Sequence, residues 1–280
     1  MITSDLGPVG VSLTIDPGGA HLDAAAEIEQ LGYSTVWIPG GQLDRLDRIT
    51  ELVRATRRIA VAPGIIPVDV YPATAVARLH AELAEEAPGR FVVGLGGPQQ
   101  SRPLRALGQY LDQLDGADPP VPAHRRILAA LGPRKLALAR ERTAGAVPLL
   151  VDAAYTAQAR SVLGADRALV IQQLAVLDSN ADRARELARG TLGFLARVGG
   201  YRAQWARLGF TEPEIDGLAD RLVDELVAWG EPELIIDRMR GHRAAGADQV
   251  SLSVLSDGAQ PGPMAVARLL ADALVGPGSD

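Results

Sequence analysis

The sequence contains no cysteine and a single lysine, and aromatic residues make up only 4% of its 280 residues. The absence of cysteine excludes disulfides, thiolate metal ligands and a cysteine nucleophile. Because aromatic residues are scarce, the core must be aliphatic, and a hydrophobic content of 47% is enough for a large one. The formal charge of −6 argues against a nucleic-acid-binding surface.

Long apolar runs are also missing. The N-terminus has no basic segment followed by an apolar stretch, so we expect no signal peptide. No run approaches the ~20 apolar residues that a membrane-spanning helix needs. These features predict a soluble, cytoplasmic protein that does not act on a membrane.

What the sequence does have is a regular alternation of strand and helix patterns. Apolar strand patterns, each followed by a helical pattern, are expected at Val9–Ile15, Tyr33–Ile38, Ile59–Ile66, Phe91–Leu95, Arg126–Leu131, Ala146–Val151, Ala168–Val176 and Gln249–Leu255. Eight βα units in a chain of this length predict an α/β protein with a (β/α)8 TIM barrel. An open doubly wound sheet is the alternative, but the turn after the first strand lacks the G-x-G-x-x-G spacing.

The longest helical stretch separates the seventh and eighth predicted strands. Helical patterns cover Ala181–Leu208, Glu212–Trp229 and Glu233–Ala245. We therefore expect one domain over residues 1–280, with a helical insertion at about residues 180–230. This insertion should lie over the C-terminal face of the barrel, where TIM-barrel enzymes have their active sites.

Motifs for metal binding and hydrolysis are missing. The four histidines, His21, His80, His124 and His242, lie far apart without carboxylates at ligand spacing, which predicts surface histidines and no metal site. No G-x-S-x-G elbow occurs, and the acids at strand ends form no pair typical of a glycosidase. A site so poor in acids, bases and metal ligands indicates that a bound cofactor supplies the reactivity.

Five segments in order resemble the luciferase-like monooxygenase superfamily, in particular its branch of coenzyme F420-dependent oxidoreductases. They are Gln30–Pro39, Ala87–Gly96, Val121–Val151, Asp220–Gly230 and Gly241–Leu255. The resemblance covers nearly the whole chain. It implies a TIM barrel with an insertion after strand seven, an oxidoreductase activity, and a flavin or deazaflavin bound at the C-terminal face.

The resemblance also implies which residues contact the cofactor. In such proteins the ring rests against a bulge at the end of strand three, often with a non-proline cis peptide, and by position this bulge is Gly64, Ile65 and Ile66. Residues after strand four would approach the ring or tail, residues after strands five and six would lie near the phosphate, and a strand-seven glutamine would match a common family residue. These are Gly94, Leu95, Gly96 and Gly97, then Leu131, Gly132, Asp152, Ala153 and Ala154, and finally Gln173. No residue is assigned as a catalytic acid or base.

Three functions are compatible with these patterns. The leading one is hydride transfer between F420 and a small organic substrate of unidentified structure, and the second is an FMN-dependent monooxygenase. The third is a barrel that has lost its cofactor and acts as a binding protein. It is suggested by four departures from the family pattern: Gly40-Gly41 after strand two, Pro67–Asp69 after strand three, a shortened Gly96–Leu104 after strand four, and an unpaired Asp152 carboxylate near the expected phosphate. A homodimer is left open.

Overall fold

A computed structural model describes residues 5–97, 103–198 and 200–276. The strands are β1 (Val9–Ser12), β2 (Thr35–Pro39), β3 (Ala60–Gly64), β4 (Ile66–Pro67), β5 (Val93–Gly96), β6 (Arg126–Leu128), β7 (Gly145–Ala146), β8 (Ala168–Val176), β9 (Val227–Trp229) and β10 (Gln249–Val254). The helices are α1 (Ala20–Gln30), α2 (Asp47–Ala55), α3 (Ala73–Glu86), α4 (Pro103–Asp115), α5 (Pro133–Arg142), α6 (Ala153–Leu163), α7 (Ala181–Leu195), α8 (Tyr201–Arg207), α9 (Glu212–Asp216), α10 (Asp220–Leu226), α11 (Pro232–Ala244) and α12 (Pro263–Val275).

The strands form a nearly closed parallel barrel. Their order is β3-β2-β1-β10-β8-β7-β6-β5-β4, and every paired strand runs parallel to its neighbour. Strands β3 and β4 are two parts of the third predicted strand, separated by Ile65. A bridge between Val61 of β3 and Phe91, just before β5, joins the two sides of the sheet. The predicted α/β TIM-barrel fold is therefore confirmed.

Strand β9 corrects one sequence prediction, which has a helix over Glu212–Trp229. In the structure α10 ends at Leu226, and Val227–Trp229 pairs with Leu174–Val176 at the end of β8. Strand β8 extends beyond the residues that pair with β7, so its edge is open to another strand. The ladder hydrogen bonds available there favour the extended form of this β-branched and aromatic segment.

Three apolar clusters hold the fold together. Outward-facing strand residues pack against the surrounding helices. The barrel lumen is filled by a separate set: Leu6, Trp37, Ala62, Val92, Ile127, Ala144, Val147, Ala168 and Val170. The third cluster lies among helices α7–α10 and includes Leu150 and Leu174, which follow or end strands β7 and β8. The insertion therefore covers the C-terminal ends of these strands.

The predicted insertion is also less regular than its sequence pattern indicates. The pattern gives one helix over Ala181–Leu208, but the structure has α7 and α8, and Gly200 precedes α8 with a φ of 106°. That left-handed conformation suits glycine and ends the continuous helical pattern. Within the described ranges, no helix combines the length and apolar character that crossing a bilayer requires.

Candidate functional site

The third strand is interrupted at the mouth of the barrel, between β3 and β4. The Gly64–Ile65 peptide bond is cis, at the position where the resemblance places such a bond. A Cβ on Gly40 would lie 2.6 Å from the backbone N of Ile65 and 2.8 Å from its O, so Gly40 leaves the space that this peptide occupies. The Ile65 side chain lies 3.3 and 3.2 Å from where Cβ atoms on Gly96 and Gly97 would be. We call Gly40, Gly64, Ile65, Gly96 and Gly97 the platform.

Gln172 is the polar side chain that lies against this platform. Its Nε2 would be 2.3 Å from a Cβ on Gly64, so the amide packs directly on the Gly64 backbone. The residue is only 8% exposed, and the described residues offer its side-chain amide no hydrogen-bond partner. Because this amide packs on Gly64 and is bonded to none of the described residues, it is available to hydrogen-bond a ligand at the mouth. The sequence analysis missed Gln172.

Gln173 faces the opposite side of β8, as alternation along a strand requires. Its Nε2 donates to the O of Leu174 (2.9 Å) and of Leu226 (3.3 Å), and its Oε1 lies 2.9 Å from His242 Nε2. Because two carbonyls fix the amide nitrogen, His242 Nε2 is the donor, and His242 Nδ1 accepts from Thr156 Oγ1 at 2.8 Å. The expectation that Gln173 contacts a cofactor is therefore corrected: it links α11, α6 and the end of α10 to β8.

Three other expected cofactor contacts have packing roles. The side chains of Ile66 and Leu95 are fully buried in the apolar layer between the strands and the helices. A Cβ on Gly94 would lie 1.9 Å from the backbone O of Pro63, so this glycine allows β3 and β5 to approach each other. These packing roles leave only backbone atoms for a cofactor contact at the three positions, which stays a prediction.

The ends of β6 and β7 carry the residues expected near a phosphate. Gly132 caps the N-terminus of α5, whose first turn holds the half-buried Lys135 and no acidic residue. Burial lowers the pKa of Lys135. Both terminal nitrogens of Arg207, from α8, lie 3.8 Å from where a Cβ on Gly132 would be. We call Gly132, Lys135 and Arg207 the positive rim.

Asp152 is not the unpaired carboxylate that the sequence suggests, although it keeps its negative charge. Its Oδ1 accepts a hydrogen bond of 2.6 Å from the backbone N of Tyr155, which makes it the N-cap of α6. Ala153 and Ala154 are the first two residues of that helix, and Leu131 O accepts from Tyr155 Oη at 2.8 Å. The carboxylate is thus partnered, and the first turns of α5 and α6 open on the C-terminal face, where helix N-termini favour anions.

The histidines differ from their expected surface positions. His21 and His242 are 2% and 0% exposed, whereas His124 is exposed. Neither nitrogen of His21 has a hydrogen-bond partner among the described residues. Across the part of the chain that the structure describes, no three His, Cys, Asp or Glu side chains gather closely enough to hold a metal ion.

The buried His242 makes the stability of the protein depend on pH. Burial, helped by the Arg238 charge, lowers its pKa from 6.5 to about 4. The fold therefore favours the neutral imidazole, so this contribution is complete above pH 6.5 and is lost as the pH falls towards 4. The loss amounts to about 3 kcal/mol. Urea unfolding between pH 8 and 4.5 should show this decline.

The control for this prediction is a pair of histidine variants. His242→Gln should remove the largest single part of the pH dependence. The remainder comes from His80, whose pKa is also lowered by burial, and from carboxylates such as Glu86 and Glu214, whose pKa values are lowered by hydrogen bonds from Arg54 and Arg221. His124→Gln, at an exposed position, should leave the decline unchanged. An unchanged decline in the His242 variant would contradict the prediction.

The strand order and the mouth define a parallel TIM barrel, and comparison with known proteins agrees. Residues 4–114 match the model of the luciferase-like monooxygenase family, which confirms the resemblance seen in the sequence. Among curated proteins, no sequence matches this chain.

Solved structures share the whole architecture. An F420-dependent secondary alcohol dehydrogenase in complex with an F420-acetone adduct is 16% identical with a TM-score of 0.74, covering 95% of this chain and 97% of the other. The coenzyme F420-dependent tetrahydromethanopterin reductase from Methanopyrus kandleri is 16% identical with a TM-score of 0.70, at the same coverage. The oxygenating constituent of 3,6-diketocamphane monooxygenase from Pseudomonas putida, in complex with FMN, is 12% identical with a TM-score of 0.63, covering 96% and 98%. These likenesses show the fold, and with the family match they support the expectation of an oxidoreductase.

Proposed function

We propose that the protein is an oxidoreductase that binds coenzyme F420 at the barrel mouth and transfers a hydride between it and a small organic substrate. The observation that carries this proposal is the Gln172 amide, which lies against Gly64 beside the Gly64–Ile65 cis peptide and is bonded to none of the described residues. The edge of a deazaflavin ring presents carbonyl and N–H groups, which an amide can both donate to and accept from. The platform glycines let Ile65 approach closely, and the half-buried Ile65 side chain offers an apolar surface on which a flat ring can rest.

Each part of the mouth has a separate task in this proposal. The platform supports the ring, and Gln172 fixes its orientation by hydrogen bonding. The positive rim and the first turns of α5 and α6 hold the phosphate and the anionic tail. Helices α7–α10 cover the mouth and exclude water. The bound deazaflavin would supply the hydride chemistry.

F420 is preferred to FMN because the two F420-dependent structures have higher TM-scores than the FMN-dependent one. This preference is tested by titrating the purified protein with F420 and, separately, with FMN while following cofactor fluorescence. We expect saturable F420 binding with a Kd of about 10 μM or tighter, and FMN binding at least tenfold weaker. Tighter FMN binding would favour the monooxygenase alternative, and no binding of either would favour a barrel that has lost its cofactor.

The positive rim gives a further prediction. Arg207→Gln should weaken F420 binding about fivefold, because it removes one charge that faces the anionic part of the cofactor. Arg202 lies on the same helix but pairs with Glu212 and Asp216, so Arg202→Gln is the matched control and should leave the Kd unchanged. The same fluorescence titration measures both variants, and equal affinities would show that the rim does not bind the cofactor.

A further inference from the structure

A cavity lies on the N-terminal face of the barrel, away from the mouth. This cleft has a volume of about 230 Å³ and is formed by the end of α3, the loop before β5 and the turn before β6. Leu83 and Phe91 line its apolar side, and His80, His124 and Arg125 line its polar side. The proposed oxidoreductase function uses none of these residues.

The guanidinium of Arg125 is fixed at the edge of the cleft. Its Nη1 donates to Asp5 Oδ2 at 2.7 Å and to the O of Gly89 at 3.0 Å. Among the described residues, no acceptor is bonded to its Nη2. A side chain held on one nitrogen and free on the other is preorganised to donate to an anion.

His80 shows that the local potential is positive. The part of the chain that the structure describes offers no hydrogen-bond partner to its imidazole, which is half-buried. Its pKa is lowered first by burial and then by the positive charges of Arg125, Arg126 and His124. Positive charges thus converge on a cleft with apolar walls, an arrangement that attracts an anion with a carbon body.

The charge balance limits which anion fits. Asp5 pairs with Arg125, and Asp115 pairs with the buried Arg126, so two carboxylates already offset part of the positive charge. A singly charged carboxylate therefore matches the cleft better than a doubly charged phosphate.

We propose that this cleft binds a small organic monocarboxylate. Its carboxylate accepts from the free Nη2 of Arg125 and lies beside His80, and its apolar part contacts Leu83 and Phe91. A cleft of about 230 Å³ accommodates a molecule of the size of benzoate. Because the cleft is separate from the barrel mouth, binding there does not depend on the cofactor.

The proposal is tested by titrating the full-length protein with benzoate, benzamide and inorganic phosphate, using calorimetry or ligand-observed NMR. We expect benzoate to bind with a Kd of about 1 mM or tighter, and the other two probes to bind at least tenfold more weakly. Equal binding of benzamide would show that charge plays no part. Equal binding of phosphate would show that no carbon body is needed. If benzoate does not bind at about 10 mM, which is ten times the largest expected Kd, the cleft is not a binding site. Each of these three results overturns the proposal.

Two variants locate the binding. Arg125→Gln should weaken benzoate binding about tenfold, and thermal unfolding checks that losing the Asp5 pair leaves the protein folded. Ala84→Glu is the second variant, because Ala84 lines the cleft at an exposed helical position and a carboxylate there would repel the ligand without disturbing the core. Ala157→Glu, on the exposed face of α6, is the control and should bind benzoate normally. If Ala84→Glu binds benzoate with unchanged affinity, benzoate binds outside this cleft and the proposal is overturned.

Discussion

Replacing Gly40 with alanine should weaken F420 binding about a hundredfold, whereas the same change at Gly41 should leave it unchanged. A Cβ on Gly40 meets the N and O of Ile65 at 2.6 and 2.8 Å, and these backbone atoms cannot rotate away. A Cβ on Gly41 meets nothing within 4 Å. The Gly40 variant must therefore displace the 64–65 peptide, which supports the ring in our proposal.

The expected magnitudes separate the two variants clearly. Displacement of a positioning group by about 1 Å weakens binding or catalysis by about a hundredfold, and the overpacking costs about 1–3 kcal/mol of unfolding free energy. Fluorescence titration with F420 and urea unfolding measure these two quantities. Normal F420 binding by a folded Gly40→Ala protein would show that the platform does not support the cofactor. The Gly41→Ala variant should stay within twofold of the original Kd.

The neighbouring residues Gln172 and Gln173 should respond in opposite ways to replacement by leucine. Gln173→Leu leaves His242 Nε2 and the carbonyls of Leu174 and Leu226 without their buried partner. Because each unpaired buried group costs about 1–3 kcal/mol, the free energy of unfolding should fall by about 3–5 kcal/mol. F420 affinity should change little in the fraction that remains folded.

Gln172→Leu should instead leave the unfolding free energy nearly unchanged, because the amide has no partner among the described residues to lose. F420 affinity should fall about thirtyfold, the effect of losing one or two hydrogen bonds to the ring. Urea unfolding and fluorescence titration on both variants test the pair. The assignment of Gln172 to cofactor binding is wrong if Gln172→Leu destabilises the protein and keeps its F420 affinity. The assignment of Gln173 to stability is wrong if Gln173→Leu keeps the unfolding free energy and loses F420 affinity.

The sequence predicts the barrel well because each strand carries its own local signal. The apolar run Ala168–Val176 and its structural counterpart β8 have the same bounds. The same run explains why Gln172 was missed. All nine residues of β8 are buried, so no polar–apolar alternation in the sequence distinguishes the lumen side from the helix side. Only the contact with Gly64, more than a hundred residues away, identifies the residue that faces the mouth.

Other features depended on contacts between distant segments. Gly40 departs from the family pattern in the sequence. The structure explains the glycine, because the Ile65 backbone approaches it too closely for a side chain, and no local sequence pattern reveals this contact. The buried position of His242 did have a local signal. Ile235, Met239 and His242 follow helical spacing and are all buried, so this face of α11 could have been recognised as the inner one.

The most direct test of the account is a crystal structure of the protein with F420. We expect the deazaflavin ring on Ile65, the Gln172 amide hydrogen-bonded to the edge of the ring, and the phosphate beside Gly132 and Arg207. A complex with the cofactor bound away from the platform, or a barrel mouth that side chains fill so that no ring can enter, would contradict it.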